Sequence, residues 1–272
     1  MAMNHLLREL APVTADAWEL IDAEARQALK IKLGARKIVD FVGPLGWGAA
    51  AVGTGRIARL DQAPLDGVEA ATRAVQPLVE LRVPFEVSRA EIEAVARGAK
   101  DPDVDSVRNA AGAAALAEDR AVFHGFASAG IEGIMEGAEP LALTDDYVAY
   151  PAVVAAAISR LHDDGVTGPY AIALGPQCYT GLSRTTRDGF PVLEHVRRLL
   201  NGGPLVWAPG IDGAAVISMR GGDFELTVGG DWAIGYTDHD AKVVRLYLQE
   251  SFTFRALSPE AAVPLRYAKS KG

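Results

Sequence analysis

Apolar residues recur at three- and four-residue spacing near the start of the chain. Trp18, Ile21, Ala25, Ala28 and Leu29 share one face behind Thr14, which predicts an amphipathic helix from Thr14 to about Leu33, capped by the threonine and stopped by Gly34. Ile38, Val39, Phe41 and Val42 then read as a strand, ended by the turn-forming run Gly43 to Trp47. From about Leu78 to Val87 apolar and polar residues alternate with the period of a strand, and Pro84 favours an edge or a bend. Ser88 followed by Glu91 predicts a capping box on a short helix ending near Gly98. The longest helical pattern runs from Asp103 to about Phe126. It carries Val107, Ala110, Ala111, Ala114, Val122 and Phe123 on its apolar face, with Arg108, Glu118, Asp119 and Arg120 beside it. So many alanines permit close approach of another backbone. The glycine-rich stretch from Gly125 to Gly137 is a candidate boundary.

Beyond Pro140 helix and strand patterns alternate. Pro151–Leu161 and Pro176–Ser183 predict helices, and Tyr170–Leu174 predicts a short buried strand. A polar loop from Ser183 to Gly189 precedes a helix that Pro191 can start, because its missing N–H is not needed there. Leu205–Ala208 reads as a strand. Ala214–Met219 and Phe224–Val228 flank Arg220-Gly221-Gly222-Asp223, which predicts a β-hairpin. Val243–Phe254 alternates over a length unusual for a strand. These elements define an α+β protein with a strand-rich C-terminal third. One segment resists assignment to any core. Between Trp47 and Val75 the apolar residues Val52, Ile57, Leu60, Leu65 and Val68 are spread thinly among glycines, alanines and charges. Such a segment is either a mobile loop or an arm completed by another subunit.

Composition narrows the function classes. The chain has 272 residues, 27 Lys and Arg against 35 Asp and Glu, and a formal charge of −8, so nucleic acid is not an expected partner. Its 49% hydrophobic content excludes extensive disorder. The single Cys178 cannot form an internal disulfide and fits a reducing compartment. No apolar run approaches the length that spans a bilayer, and Met1–Leu10 lacks a signal-peptide core, so a cytoplasmic protein without a membrane partner is expected. Arg266, Lys269 and Lys271 mark a solvated tail.

Candidate chemistry is sparse. Gly53, Gly55 and Ala58 match a dinucleotide-binding spacing, but Pro64 follows too soon for the required helix and Arg73 stands where an acidic residue is needed. His5, His124, His162, His195 and His239 never pair at helical zinc-site spacing. Asp238, His239 and Asp240 offer metal-ligand atoms, although three adjacent residues between strands more often make a polar turn. Glu118 and Asp119 are adjacent on a helix and point apart, so they cannot share one substrate. Cys178 with His195 is the one pairing that resembles a nucleophile and its base, as in a soluble cysteine hydrolase, while a cysteine after a buried strand is commonly a core residue. Neither a serine-hydrolase elbow nor a phosphate-binding loop is present. No catalytic set, metal or cofactor is therefore expected.

Several segments together resemble the family 1 encapsulins, the linocin-like shell proteins. They are Glu9–Asp22, Ala35–Trp47, Val79–Gly98, Glu118–Ile134, Asp188–Ala214, Arg220–Asp240 and Val244–Phe254, and the match extends from about Leu6 to Leu265. The resemblance implies an HK97 phage-capsid-like fold with a peripheral domain, an extended loop and an axial domain. Residues 1–46 would begin the peripheral domain, 47–75 form the extended loop, and 76–134 continue the peripheral domain with its long spine helix. Residues 135–220 would form the axial domain, 221–250 return to the peripheral domain, and 251–272 lead back to the axial domain.

In function, the resemblance implies a non-enzymatic subunit that assembles with itself into a closed icosahedral nanocompartment. The chain length suggests a T=1 shell of about sixty copies. Such shells enclose a cargo enzyme, either a dye-decolorising peroxidase or a ferritin-like or hemerythrin-like iron protein, held by its C-terminal peptide. The matching cargo-peptide surface is Leu29, Leu33 and Ile38 as apolar contacts and Arg36 and Asp40 as polar clamps, joined by Asp231, Trp232 and Ile234. Arg184, Thr185, Thr186, Arg187, Asp188, Gly189 and Phe190 would line a five-fold pore.

Overall fold

Two five-stranded sheets and one long hairpin divide the chain in the computed structural model, which describes residues 5–267. Lys269 and Lys271 of the expected tail lie outside the described residues. The N-terminal helix α1 (Ala15–Lys32) forms as its periodicity predicts, with the Thr14 hydroxyl accepting the Ala17 N–H at 3.4 Å. The chain then tightens into a 3-10 turn at Ala35–Lys37, so the following strand β1 is only Asp40–Val42 rather than starting at Ile38. Ile38 is drawn into the core instead.

The hairpin follows: among the described residues β2 (Ala51–Arg59) and β3 (Ala71–Pro77) pair only with each other. Most of its side chains stay in solvent, with Ile57 65% exposed and Leu65, in the connecting loop, 70% exposed. The next strand, β4 (Val79–Ser88), leads into α2 (Arg89–Ala96) and the long helix α3 (Asp105–His124). The expected capping box at Ser88 does not form. Ser88 is still paired within the sheet, opposite Val243, and Glu91 accepts the Asp103 N–H at 2.9 Å instead.

Past the glycine-rich stretch come β5 (Leu141–Leu143), α4 (Tyr150–Asp163), β6 (Tyr170–Leu174) and α5 (Pro176–Arg184). The polar loop closes as a small hairpin of β7 (Thr186–Arg187) and β8 (Phe190–Pro191), turning through Asp188 and Gly189 at positive φ. Helix α6 (Val192–Leu199) and strands β9 (Leu205–Trp207), β10 (Ala214–Ser218), β11 (Phe224–Val228), β12 (Ala233–His239), β13 (Val243–Ala256) and β14 (Ala262–Tyr267) complete the chain.

The first sheet is organised by β13. Its 14 residues pair antiparallel with β4 from Val243 to Phe252, and with β12 and then β11 along successive stretches. Serving three partners accounts for its length. Among the described residues β4 has β13 as its one strand partner, so Pro84 sits on an edge where its missing N–H breaks no ladder. Helices α1 and α3 cover this sheet. The second sheet runs β5-β14-β10-β6-β9, and every residue of β6 and β10 is buried.

The expected hairpin around Arg220–Asp223 is corrected by this topology. Strand β10 lies between β6 and β14 in the second sheet, whereas β11 pairs with β1 and β13 in the first. Each strand is buried by a distant partner, so the glycine turn becomes a crossover between sheets. The Arg220 guanidinium grips the Asp223 carboxylate at 2.8 and 2.9 Å, and the Gly222 N–H donates to Asp40 at 2.6 Å.

Candidate functional site

A groove of about 540 Å³ lies between α1 and the turn joining β11 to β12. Helical periodicity places Leu29 on the groove side of α1, and Leu33 and Arg36 continue that wall past the helix end. The opposite wall carries Asp231, Trp232 and Ile234, with Leu248 of β13 beside them. Six of the eight residues expected at a peptide surface therefore line one groove. The other two do not. Ile38 and Asp40 border a separate small cavity by the crossover turn. Arg8 and Asp22 join the groove as a bidentate ion pair at 2.8 and 3.1 Å, while Arg26 and Lys30 stand exposed along its rim.

The groove floor is polar and highly connected. Arg36 donates to Glu118 at 2.8 Å from Nε and 2.7 Å from Nη2, to Asp231 at 2.9 Å, and also to Glu250. Glu118 and Glu250 are fully buried, and Glu118 also accepts the Trp232 indole N–H at 2.9 Å. Burial alone would lower the Arg36 guanidinium pKa, but Glu118, Glu250 and Asp231 together raise it above its ordinary value. Burial, reinforced by the charge of Glu118, pushes Glu250 well above the usual carboxylate range, and its Oε2 has no hydrogen-bond partner. Next along α3, Asp119 is pushed by burial up to about 7, against the pull of the Ala35 and Gly34 N–H groups. Sequence reading placed Glu118 and Asp119 beside an apolar face and passed over Glu250. Their signal is faint: carboxylates bordering apolar positions, whose partners, Arg36 for Glu118 and Glu250 and the Gly34 and Ala35 N–H groups for Asp119, lie far away in sequence.

The remaining candidates separate. Cys178 is buried, with its sulfur 3.3 Å from the Tyr267 hydroxyl, and burial pushes its thiol up rather than favouring a thiolate. His195 faces the Arg187 carbonyl at 3.2 Å, so no nucleophile–base pair forms with Cys178. A cavity of about 360 Å³ beside Cys178 contains His124, whose Nε2 accepts the Asp212 N–H and whose pKa burial lowers. Asp238 and Asp240 are held by Arg245 at 2.6 and 2.7 Å and His239 bonds the Tyr236 hydroxyl; Asp238 and His239 are the last residues of β12, paired with β13, so the expected polar turn starts only at Asp240 and the cluster's side chains are already engaged. No group of His, Cys, Asp and Glu able to hold a metal is found among the described residues. Arg184, Thr185, Thr186, Arg187, Asp188, Gly189 and Phe190 follow one another through the small β7–β8 hairpin, with Phe190 55% exposed.

A long helix against a sheet, an extended hairpin and a second mixed sheet define a class: the chain has the HK97-like capsid fold. A virus-like particle from Pyrococcus furiosus superposes with a TM-score of 0.64 at 16% identity, covering 90% of this chain and 98% of that one. A Mycobacterium phage Ogopogo chain gives 0.54 at 13% identity, covering 89% and 91%. Sequence comparison is more specific. The family model described as encapsulating protein for peroxidase matches residues 3–253. The type 1 encapsulin shell protein of Rhodospirillum rubrum is 58% identical, over 97% of both chains. Its counterpart in Mycobacterium tuberculosis is 47% identical, over 97% of this chain and 100% of the relative. The chain belongs to the type 1 encapsulin shell family, whose named members are structural shell subunits rather than enzymes. Among the described residues no helix is long and apolar enough to cross a membrane.

Proposed function

We propose that this chain assembles with copies of itself into a closed icosahedral compartment of about sixty subunits, and that the groove docks the C-terminal peptide of an enclosed cargo enzyme. The observation that carries the assembly reading is the β2–β3 hairpin. It presents Ile57, Leu60, Leu65 and Val68 to solvent, in a family of shell subunits. An arm that cannot bury its apolar residues is stable only when a neighbour covers it, and a shell gives every arm a neighbour. The residues 184–190 hairpin is proposed to line the five-fold pore.

Docking follows from the groove's chemistry. Leu29, Leu33 and Ile234 supply apolar seats for alternate side chains of an extended peptide, and Asp231 and Arg36 supply polar contacts at its edge. A single short peptide bound this way holds weakly. Many sites facing one confined volume raise the effective concentration and retain a multimeric cargo. A dye-decolorising peroxidase and a ferritin-like iron protein both suit such a compartment.

Electron microscopy of the purified protein tests assembly: closed particles are expected, and a population of monomers or dimers at neutral pH overturns the reading. Leu29→Glu tests docking. It should leave particles intact while depleting the co-purifying cargo, and full loading would remove the groove from consideration.

A further inference from the structure

The two walls of the groove come from distant parts of the chain, and both are tied to consecutive carboxylates of α3. Asp119 accepts the Gly34 N–H at 2.9 and 3.1 Å and the Ala35 N–H at 3.0 Å, fixing the turn directly after Leu33. A side chain at Gly34 would meet the Ala208 Cβ at 2.6 Å, so the turn is pressed against the molecule from that side as well. Glu118 takes the Arg36 fork on one side and the Trp232 indole N–H at 2.9 Å on the other. Successive helical residues point about 100° apart, which is how neighbours in sequence reach two different walls. Both carboxylates are completely buried, a placement that is costly unless their partners satisfy them.

The geometry points to Glu118 and Asp119 as positioning residues of the docking groove, which set the separation of its walls for an extended peptide without touching that peptide. This rests on the docking reading above. Two Glu118 oxygens serve three N–H donors. Oε2 accepts both the indole N–H and Arg36 Nη2, and Oε1 accepts Arg36 Nε, so a glutamine keeps the shape but its NH2 group either strips Nε of its nearer acceptor or strips the indole and Nη2 together. At 119, Oδ1 accepts both the Gly34 and Ala35 N–H groups and Oδ2 accepts Gly34 again, so an asparagine sets an NH2 group against one of these N–H donors and loosens the turn that ends the α1 wall.

The test uses assembled particles titrated with a fluorescein-labelled peptide of about twelve residues alternating leucine and serine, the pattern that presents every second side chain to an apolar groove. Glu118→Gln should raise Kd about tenfold or more, the equivalent of one lost charge-assisted hydrogen bond. Where the NH2 replaces Oε2, Trp232 emission should also shift to longer wavelength before peptide is added, a signal isolated by subtracting the emission of Trp232→Phe. Trp232→Phe keeps an aromatic ring but loses the pyrrole part of the indole and its hydrogen bond to Glu118, so a loss of about threefold or more is expected. Leu29→Glu should abolish binding and leave Trp232 emission unchanged. If Leu29→Glu loses the peptide while Glu118→Gln binds it normally with unshifted emission, the positioning role is overturned and the groove stands. If the unsubstituted particle does not bind the peptide, or Leu29→Glu binds it fully, the groove falls and the positioning role with it. Should Glu118→Gln not assemble, Asp119→Asn and Trp232→Phe carry the decision, and unaltered affinity in both overturns the proposal.

Discussion

The two sheets are buried with different materials. In the second, β6 and β10 are apolar throughout apart from Ser218, and every one of their residues is inaccessible. In the first, β13 buries Gln249, Glu250, Ser251 and Thr253 in consecutive or near-consecutive positions, and α3 adds Glu118 and Asp119 to the same side of the molecule. An apolar interior is held by surface removed from water and is indifferent to pH. A polar interior depends on each donor finding its acceptor, and that dependence is what gives the first sheet a defined groove and a titratable floor. The hairpin arm extends the contrast, since its apolar residues have no interior at all within one chain.

The sharpest way to break the contrast is to cut into the apolar half. Leu174→Ala removes a fully buried side chain from β6 and should cost about 2–5 kcal/mol, read as a drop in denaturation midpoint relative to the unsubstituted protein that is the same at pH 5 and pH 8. The polar half should respond to protons instead. Asp119 has its folded pKa raised from 3.8 to about 7, so its contribution to stability is fully present below about pH 4 and is lost as pH rises through 7. The slope it adds is no steeper than about 1.4 kcal/mol per pH unit, and it should vanish in Asp119→Asn when the two pH profiles of unfolding are subtracted.

Glu250 sharpens the same point with a smaller effect. Burial favours its neutral form, which glutamine imitates, so Glu250→Gln should change stability by less than about 1 kcal/mol at pH 7. A large loss in calorimetry would show that the carboxylate is charged there. On the arm, the paired change Ile57→Asp and Leu65→Asp should alter the stability of the isolated chain by no more than about 0.5 kcal/mol, because both side chains are exposed. Assembly is the quantity that should collapse, with closed particles absent from size-exclusion profiles.

Local patterns made much of the architecture legible. Thr14 with its helical spacing marked α1, the continuous apolar run Tyr170–Leu174 marked a buried strand, and the even alternation from Val243 marked the strand that organises the first sheet. Where local signals were ambiguous, distant partners decided. The turn chemistry at Arg220–Asp223 suits a hairpin equally well, yet the flanking strands gain more by pairing in different sheets. Ser88 and Glu91 carry a capping signature, but sheet pairing and Asp103 claimed them.

The proposed docking surface divides in the same way. Leu29, Leu33, Arg36, Asp231, Trp232 and Ile234 were named through family resemblance; helical periodicity by itself marked Leu29 only as a position on the apolar face of α1. Ile38 and Asp40 share that resemblance but turn aside, since the 3-10 turn at Ala35–Lys37 rotates the chain by less than a strand would carry it. By itself the sequence determined which segments can be helix or strand and which segment can never bury its own apolar residues, because those properties depend on neighbours a few positions away. Only the tertiary structure decided that Arg36 meets Glu118, Asp231 and Glu250, separated from it by 82, 195 and 214 residues. A charge acquires its buried partner through the packing of whole elements, and no local period records that encounter.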